Sequence, residues 1–96
     1  MTAPERLQRE YRVAFLRYLP RRDEVALHTG YELGRAAVHD RVSILDLAQV
    51  HHDILLEVIR TCPPAEVVEV ATGGSEFFLE VLAPYDMAQR SFLDKP

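Results

Sequence analysis

The sequence predicts an all-α fold, a small bundle of four antiparallel helices. Two observations carry this: apolar residues recur at spacings of three and four through four segments set apart by helix breakers, and no stretch sustains the period-two alternation of Val, Ile and Thr that marks a strand. The connections between segments are short, which favours antiparallel neighbours. The expected helices span about 4–19, 23–39, 44–60 and 64–93, within one domain covering 1–96.

Helix 1 opens near Pro4, a residue suited to a first turn, and carries Leu7, Tyr11, Ala14, Phe15 and Tyr18 on one side before Pro20 is expected to end it. Asp23 has the chemistry of an N-cap for helix 2, whose inner face is Ala26, Gly30, Leu33, Gly34 and Ala37. Glycine inside a helix costs about 1 kcal/mol against Ala, so Gly30 and Gly34 call for a close approach by another helix or a large aromatic. Ser43-Ile-Leu-Asp46 is a variant capping box for helix 3, which runs Ile44, Leu47, His51, Ile54 and Val58 before the Cys62-Pro63-Pro64 break. Helix 4 follows with a core seam of Val67, Ala71, Gly74, Phe78, Val81, Tyr85, Ala88 and Phe92, interrupted at Gly73-Gly74 and bent at Pro84.

Composition excludes several roles. The chain has 96 residues, 48% hydrophobic and 27% charged, a globular balance with no low-complexity tract. At this length about two thirds of the unfolded surface can be buried, so self-association would add stability. A formal charge of -4 and a pI near 5.5 oppose nucleic-acid or anionic-membrane binding, and the Arg17, Arg21, Arg22 cluster is too small to reverse that. No apolar run reaches the roughly 18 residues of a membrane span, and Met-Thr-Ala-Pro-Glu is followed by no signal-peptide core. Cys62 is the only thiol, which rules out an intrachain disulfide and fits a reducing, cytoplasmic setting. The terminal Asp94-Lys95-Pro96 reads as the end of a domain cut from a longer protein.

The four histidines, His28, His39, His51 and His52, do not form a metal site: a di-iron bundle needs Glu-x-x-His pairs on two helices, and Glu24 with His28 is an i,i+4 pair on one outer face. Neither HExxH nor a repeated CxxC occurs. His51 occupies a seam position and is read as a satisfied core histidine. Carboxylate pairs such as Glu66 with Glu69 and Glu76 with Glu80 read as hydrated helix surface. Gly73-Gly74-Ser75 lacks any phosphate-loop pattern. No catalytic group, metal or cofactor is called for.

Two helices carry a second face. On helix 4, Leu79, Ala83 and Met87 fall opposite the seam at i, i+4 and i+8, bracketed by Glu76, Glu80, Asp86 and Arg90. On helix 2, Glu24, His28, Tyr31 and Arg35 lie opposite the small inner face. Tyr and Arg often anchor protein interfaces. If helices 2 and 4 pack side by side, these faces form one surface, apolar near Leu79 and charged near Glu24.

Tyr11 and Tyr18, the His28-to-Gly34 segment, Ser-Ile-Leu-Asp-Leu-Ala-Gln-Val-His51 and the block from Phe78 to Ala88 together resemble the N-terminal domain of RsbU-type phosphatases, from about Arg6 to Phe92. The resemblance implies an all-helical, homodimeric module ahead of a PP2C-like Ser/Thr phosphatase domain. In that family the module binds an RsbT-type switch kinase, which stimulates the phosphatase; dephosphorylation of an anti-sigma-factor antagonist then frees a stress sigma factor. Recruitment and not chemistry is what this implies, since the phosphatase's metal-binding aspartates lie outside these residues. Carried over by position, the partner surface is Glu24, His28, Leu79 and Ala83, with Tyr31 added from the outer face of helix 2. His28 stands where a tyrosine would be a larger anchor, Ala83 where a bulkier aliphatic would fit, and Pro84 where a glycine is expected. Tyr11, Tyr18, Phe78, Tyr85 and Phe92 are the core or dimer candidates. Two other readings compete: a sensor bundle whose Gly30, Gly34 and Gly74 leave room for an apolar ligand near His51, and a purely structural dimerisation domain.

Overall fold

A computed structural model describes residues 3–93 of the chain; Asp94, Lys95 and Pro96, read above as a cut end, lie outside them. Among the described residues four helices form: α1 (Ala3–Arg21), α2 (Glu24–His39), α3 (Ile44–Thr61) and α4 (Val67–Leu93), the last preceded by a 3-10 turn at Pro64–Glu66. No strand occurs among the described residues.

Local chemistry sets the boundaries. Asp23 caps α2 by accepting from the Ala26 N–H at 2.8 Å, and the Ser43 hydroxyl caps α3 by accepting from the Asp46 N–H at 3.0 Å. Val42 and Leu47, both buried, occupy the two positions of a hydrophobic staple around that second cap. Pro20 does not end α1 as expected: the helix continues to Arg21, because a proline in the last turn removes only one backbone donor. Termination falls instead to Arg22, whose φ of 51° is left-handed and whose guanidinium pairs with Glu76 and lies 3.8 Å from Glu69, both on α4. Arg41 ends α2 in the same way at φ 60°.

Consecutive helices run antiparallel, but the spatial order around the bundle is α1, α2, α4, α3. α2 packs chiefly against α4 and only sparsely against α3. Since Gly30 meets Phe77 and Gly34 meets Val81, α2 and α4 run parallel and side by side. α1 and α3 are likewise parallel, with Tyr11 bonded to His51 and Arg12 paired with Glu57. A β-carbon on Gly34 would lie 2.1 Å from the Val81 carbonyl oxygen, so only glycine permits this approach of the two backbones. The space over the other small residues is also taken: Phe77 covers Gly30, and Leu55 and Phe15 cover Gly74. The room for an apolar ligand that the glycines suggested is therefore filled by the protein's own side chains and backbone.

Phe77 sits at the centre of the core, fully enclosed, with ring centroids 5.3 Å from Tyr11, 5.8 Å from Phe15 and 5.6 Å from Tyr18. The inner faces expected for α1 and α2 are buried in full. The seam expected for α4 is corrected. Val70, Gly73, Gly74, Phe77, Val81 and Pro84 are buried, while Ala71, Ala88 and Phe92 are exposed and Val67 is half-buried. Two heptad registers overlap here, sharing Gly74 and Val81, and the choice between them depends on which of two consecutive phenylalanines meets the Gly30 notch. On α3, Ile44 is exposed, and Val42, one residue before the cap, is buried in the core instead. Gly73, Gly74 and Pro84 do not interrupt α4, which runs continuously through all three. Glycine packed against α1 and α3 there offsets its poor helix propensity.

One side-chain polar pair is buried among the described residues. The Tyr11 hydroxyl lies 2.6 Å from His51 Nδ1, and the imidazole stacks on Phe78 with centroids 4.1 Å apart and planes 7° from parallel. Burial pushes the Tyr11 phenol up, so it keeps its proton and donates to Nδ1. Burial, and after it the neighbouring His52, pushes His51 down to about 4. His51 is thus the satisfied core histidine the sequence suggested, held neutral with Nδ1 as acceptor.

Two predictions follow from this packing. Gly34→Ala forces α2 off α4 and lowers unfolding free energy by about 1–3 kcal/mol, the usual range for overpacking, read from urea melts followed by circular dichroism. The second concerns acid. Because His51 binds protons less readily folded than unfolded, its contribution to stability is complete above its ordinary pKa of 6.5 and is lost as pH falls toward 4, about 3 kcal/mol in total. The double variant Tyr11→Phe/His51→Phe removes both partners together and flattens the stability profile across that window.

Candidate protein-interaction face

The outer faces of α2 and α4 adjoin because the glycine contact beneath them brings the two helices together. Tyr31, half-buried, donates its hydroxyl toward the Met87 sulfur at 3.7 Å, and its ring stacks on His28 with centroids 5.9 Å apart. A shallow groove of about 300 Å³ runs between the helices, lined by Tyr31, Arg35, Val38, His39, Pro84 and Met87. Leu79 and Met87, 65% and 57% exposed, offer apolar surface on the α4 side, and Ala83 between them is half-buried. Exposed polar contacts rim the strip: His28 faces Glu32 at 3.3 Å, and Arg35 with Glu32 at 3.5 Å and Arg90 with Asp86 at 3.0 Å form ion pairs. Pairs this exposed contribute little to stability and leave their charges available.

The sequence-selected residues are placed unevenly along this strip. The Gly30–Phe77 and Gly34–Val81 contacts set Leu79 level with Glu32, so Glu24 lies two turns away, about 12 Å along the axis at 1.5 Å per residue. Glu24, His28, Tyr31, Leu79 and Ala83 therefore make a strip along both helices and not a compact cluster. The structure brings Tyr31 to Met87, a pairing that the 4-residue spacing from Leu79 contained but that needed the α2/α4 contact to become visible. Val38, seven residues beyond Tyr31, also joins the groove through helical periodicity.

The core or dimer candidates divide differently. Tyr11 and Tyr18 lie inside the chain's own core, almost wholly buried. Phe78 and Tyr85 are half-buried against that core, Tyr85 donating to the Val42 carbonyl at 2.8 Å, while Phe92 is 77% exposed near the end of α4. Tyr18 closes the other end of the bundle by bonding Glu76 at 3.2 Å. Cys62 is half-buried in the α3–α4 connection, its Sγ 3.5 Å from the Ile59 carbonyl. Among the described residues no group of His, Cys, Asp and Glu is arranged to hold a metal ion. No described helix is long and apolar enough to cross a membrane.

Fold and face together define a helical bundle domain that presents a two-helix strip. The family of the N-terminal domain of the phosphoserine phosphatase RsbU matches residues 9–88, and the chain belongs to that family, a regulatory module of RsbU phosphatases. No curated protein and no solved structure matches it significantly.

Because Leu79 projects into solvent, Leu79→Asp is expected to change unfolding free energy by no more than about 0.5 kcal/mol and to leave the helical signal intact, which thermal and urea melts would check.

Proposed function

We propose that this chain is the domain through which an RsbT-type switch kinase is recruited to a PP2C-like phosphatase, attached or separate. On this reading the domain is a cytoplasmic, non-catalytic homodimer. Its phosphatase acts on a phosphorylated anti-sigma-factor antagonist and so releases a stress sigma factor by partner switching. The observation that carries the proposal is the α2/α4 strip in a member of the RsbU N-terminal family: Leu79 and Met87 exposed beside Tyr31 and His28, with charge along the rim. Such a strip suits a partner that buries the apolar side on α4 and pairs with the polar side on α2.

The experiment is a calorimetric titration of the purified chain with a candidate RsbT-like kinase from the same genome. The parent chain binds, and Leu79→Asp or His28→Glu abolishes binding while helicity and molar mass by light scattering stay unchanged. Equal affinity for parent and variants would remove the strip as the recruiting surface.

A further inference from the structure

α1 has a charge of its own. It carries five arginines against two glutamates, a surplus of three positive charges in a chain of formal charge -4. Arg6 and Arg12 are paired with Asp40 and Glu57, at the α2 C-terminus and on α3. Arg17 and Arg21 are exposed on the remaining side of the helix, where Val13 and Leu16 are 53% and 48% exposed. On α2, Val25 is 76% exposed. Between the two helices runs a groove of about 330 Å³, floored by Val13, Ala14, Thr29 and Leu33 and flanked by Arg9, Arg17 and Glu10. It is separate from the α2/α4 strip: α2 turns Tyr31, Arg35 and Val38 toward α4, and Thr29 and Leu33 toward α1.

We propose that the α1/α2 groove is a second docking site, for an acidic amphipathic helix of a partner protein. Three features favour that occupant. Val13 and Leu16 or Arg17 stand at i,i+3 and i,i+4 spacing, forming ridges into which another helix's apolar stripe packs. Arg9 and Arg17 outnumber Glu10 along this groove in a chain whose formal charge is -4, so an acidic segment is attracted here. A lipid surface is the poorer match: each Arg near an anionic membrane contributes about 1 kcal/mol, and no aromatic residue is exposed at this groove to anchor it.

The test uses the full chain and a fluorescein-labelled synthetic peptide of about 18 residues, with Leu at i, i+3, i+4 and i+7 spacing and Glu at most other positions. Fluorescence anisotropy at low salt is expected to show binding that added salt weakens and that Val13→Asp and Arg17→Glu each weaken by about tenfold or more, equivalent to about 1.4 kcal/mol. Leu79→Asp is expected to bind the peptide like the parent, so loss of the recruiting reading above and loss of this one are read separately. Val13 is half exposed and Arg17 exposed, and circular dichroism confirms each variant's fold; should Val13→Asp unfold, Arg17→Glu decides. Four results overturn the proposal: no binding of the peptide; equal binding of a Lys-rich peptide with the same apolar pattern; capture of phosphatidylglycerol vesicles that Arg17→Glu abolishes; or a drop in molar mass for the folded variant, which would assign the groove to a second copy of this chain.

Discussion

The bundle depends on the close approach of α2 and α4 at Gly34. There the Val81 carbonyl oxygen occupies space that any β-carbon would need, so the two backbones meet directly and not through side chains. One turn earlier, Gly30 leaves a notch that the Phe77 ring fills, and Phe77 in turn meets the three aromatic residues of α1. A backbone contact and a ring in a notch fix both the distance and the register of the two helices. The cost of two glycines inside a helix, about 1 kcal/mol each against Ala, is offset by the packing they allow.

This one contact also determines the surface. In a bundle where α2 met α3, the outer faces of α2 and α4 would point to different sides of the molecule. With the helices parallel and adjacent, Tyr31 reaches Met87, and a groove opens between them. The same arrangement leaves the other flank of α2 to α1, where the basic groove lies. α2 therefore contributes to two surfaces of unlike chemistry, one mixed and rimmed by paired charges, the other an apolar floor beside Arg9, Glu10 and Arg17 of α1.

The opposite side of α4 has a different character. Phe78 stacks on the neutral His51, whose Nδ1 accepts from Tyr11, so α1, α3 and α4 meet at a polar pair enclosed by rings. If His51 gained a proton, Nδ1 would become a donor, and the enclosed Tyr11 hydroxyl would face it without an acceptor of its own. The hydrogen bond that satisfies the pair at neutral pH thus makes the junction sensitive to acid.

Much of the fold was legible in the sequence because helix caps, breakers and apolar spacing are local. Asp23 and Ser43 cap through their own neighbours, Leu7 to Tyr18 mark the inner face of α1, and Gly30 with Gly34 announced a close approach. The registers that failed lay where two local patterns were equally good. Phe77 and Phe78 are adjacent, each extends a 4,3 repeat, and only the notch in α2 and the imidazole on α3 distinguish the ring that is enclosed from the ring that stacks at the edge. Likewise, Leu79 and Met87 were recognisable as a second stripe, but their alignment with Tyr31, and the two turns separating Leu79 from Glu24, come from the α2/α4 contact. The sequence by itself determined the helices and the inner faces of α1 and α2, since these follow from interactions within a few residues. Which helix sits beside which, and so which outer faces join, was decided by contacts some 47 residues apart in the chain, through steric fits that no local period encodes.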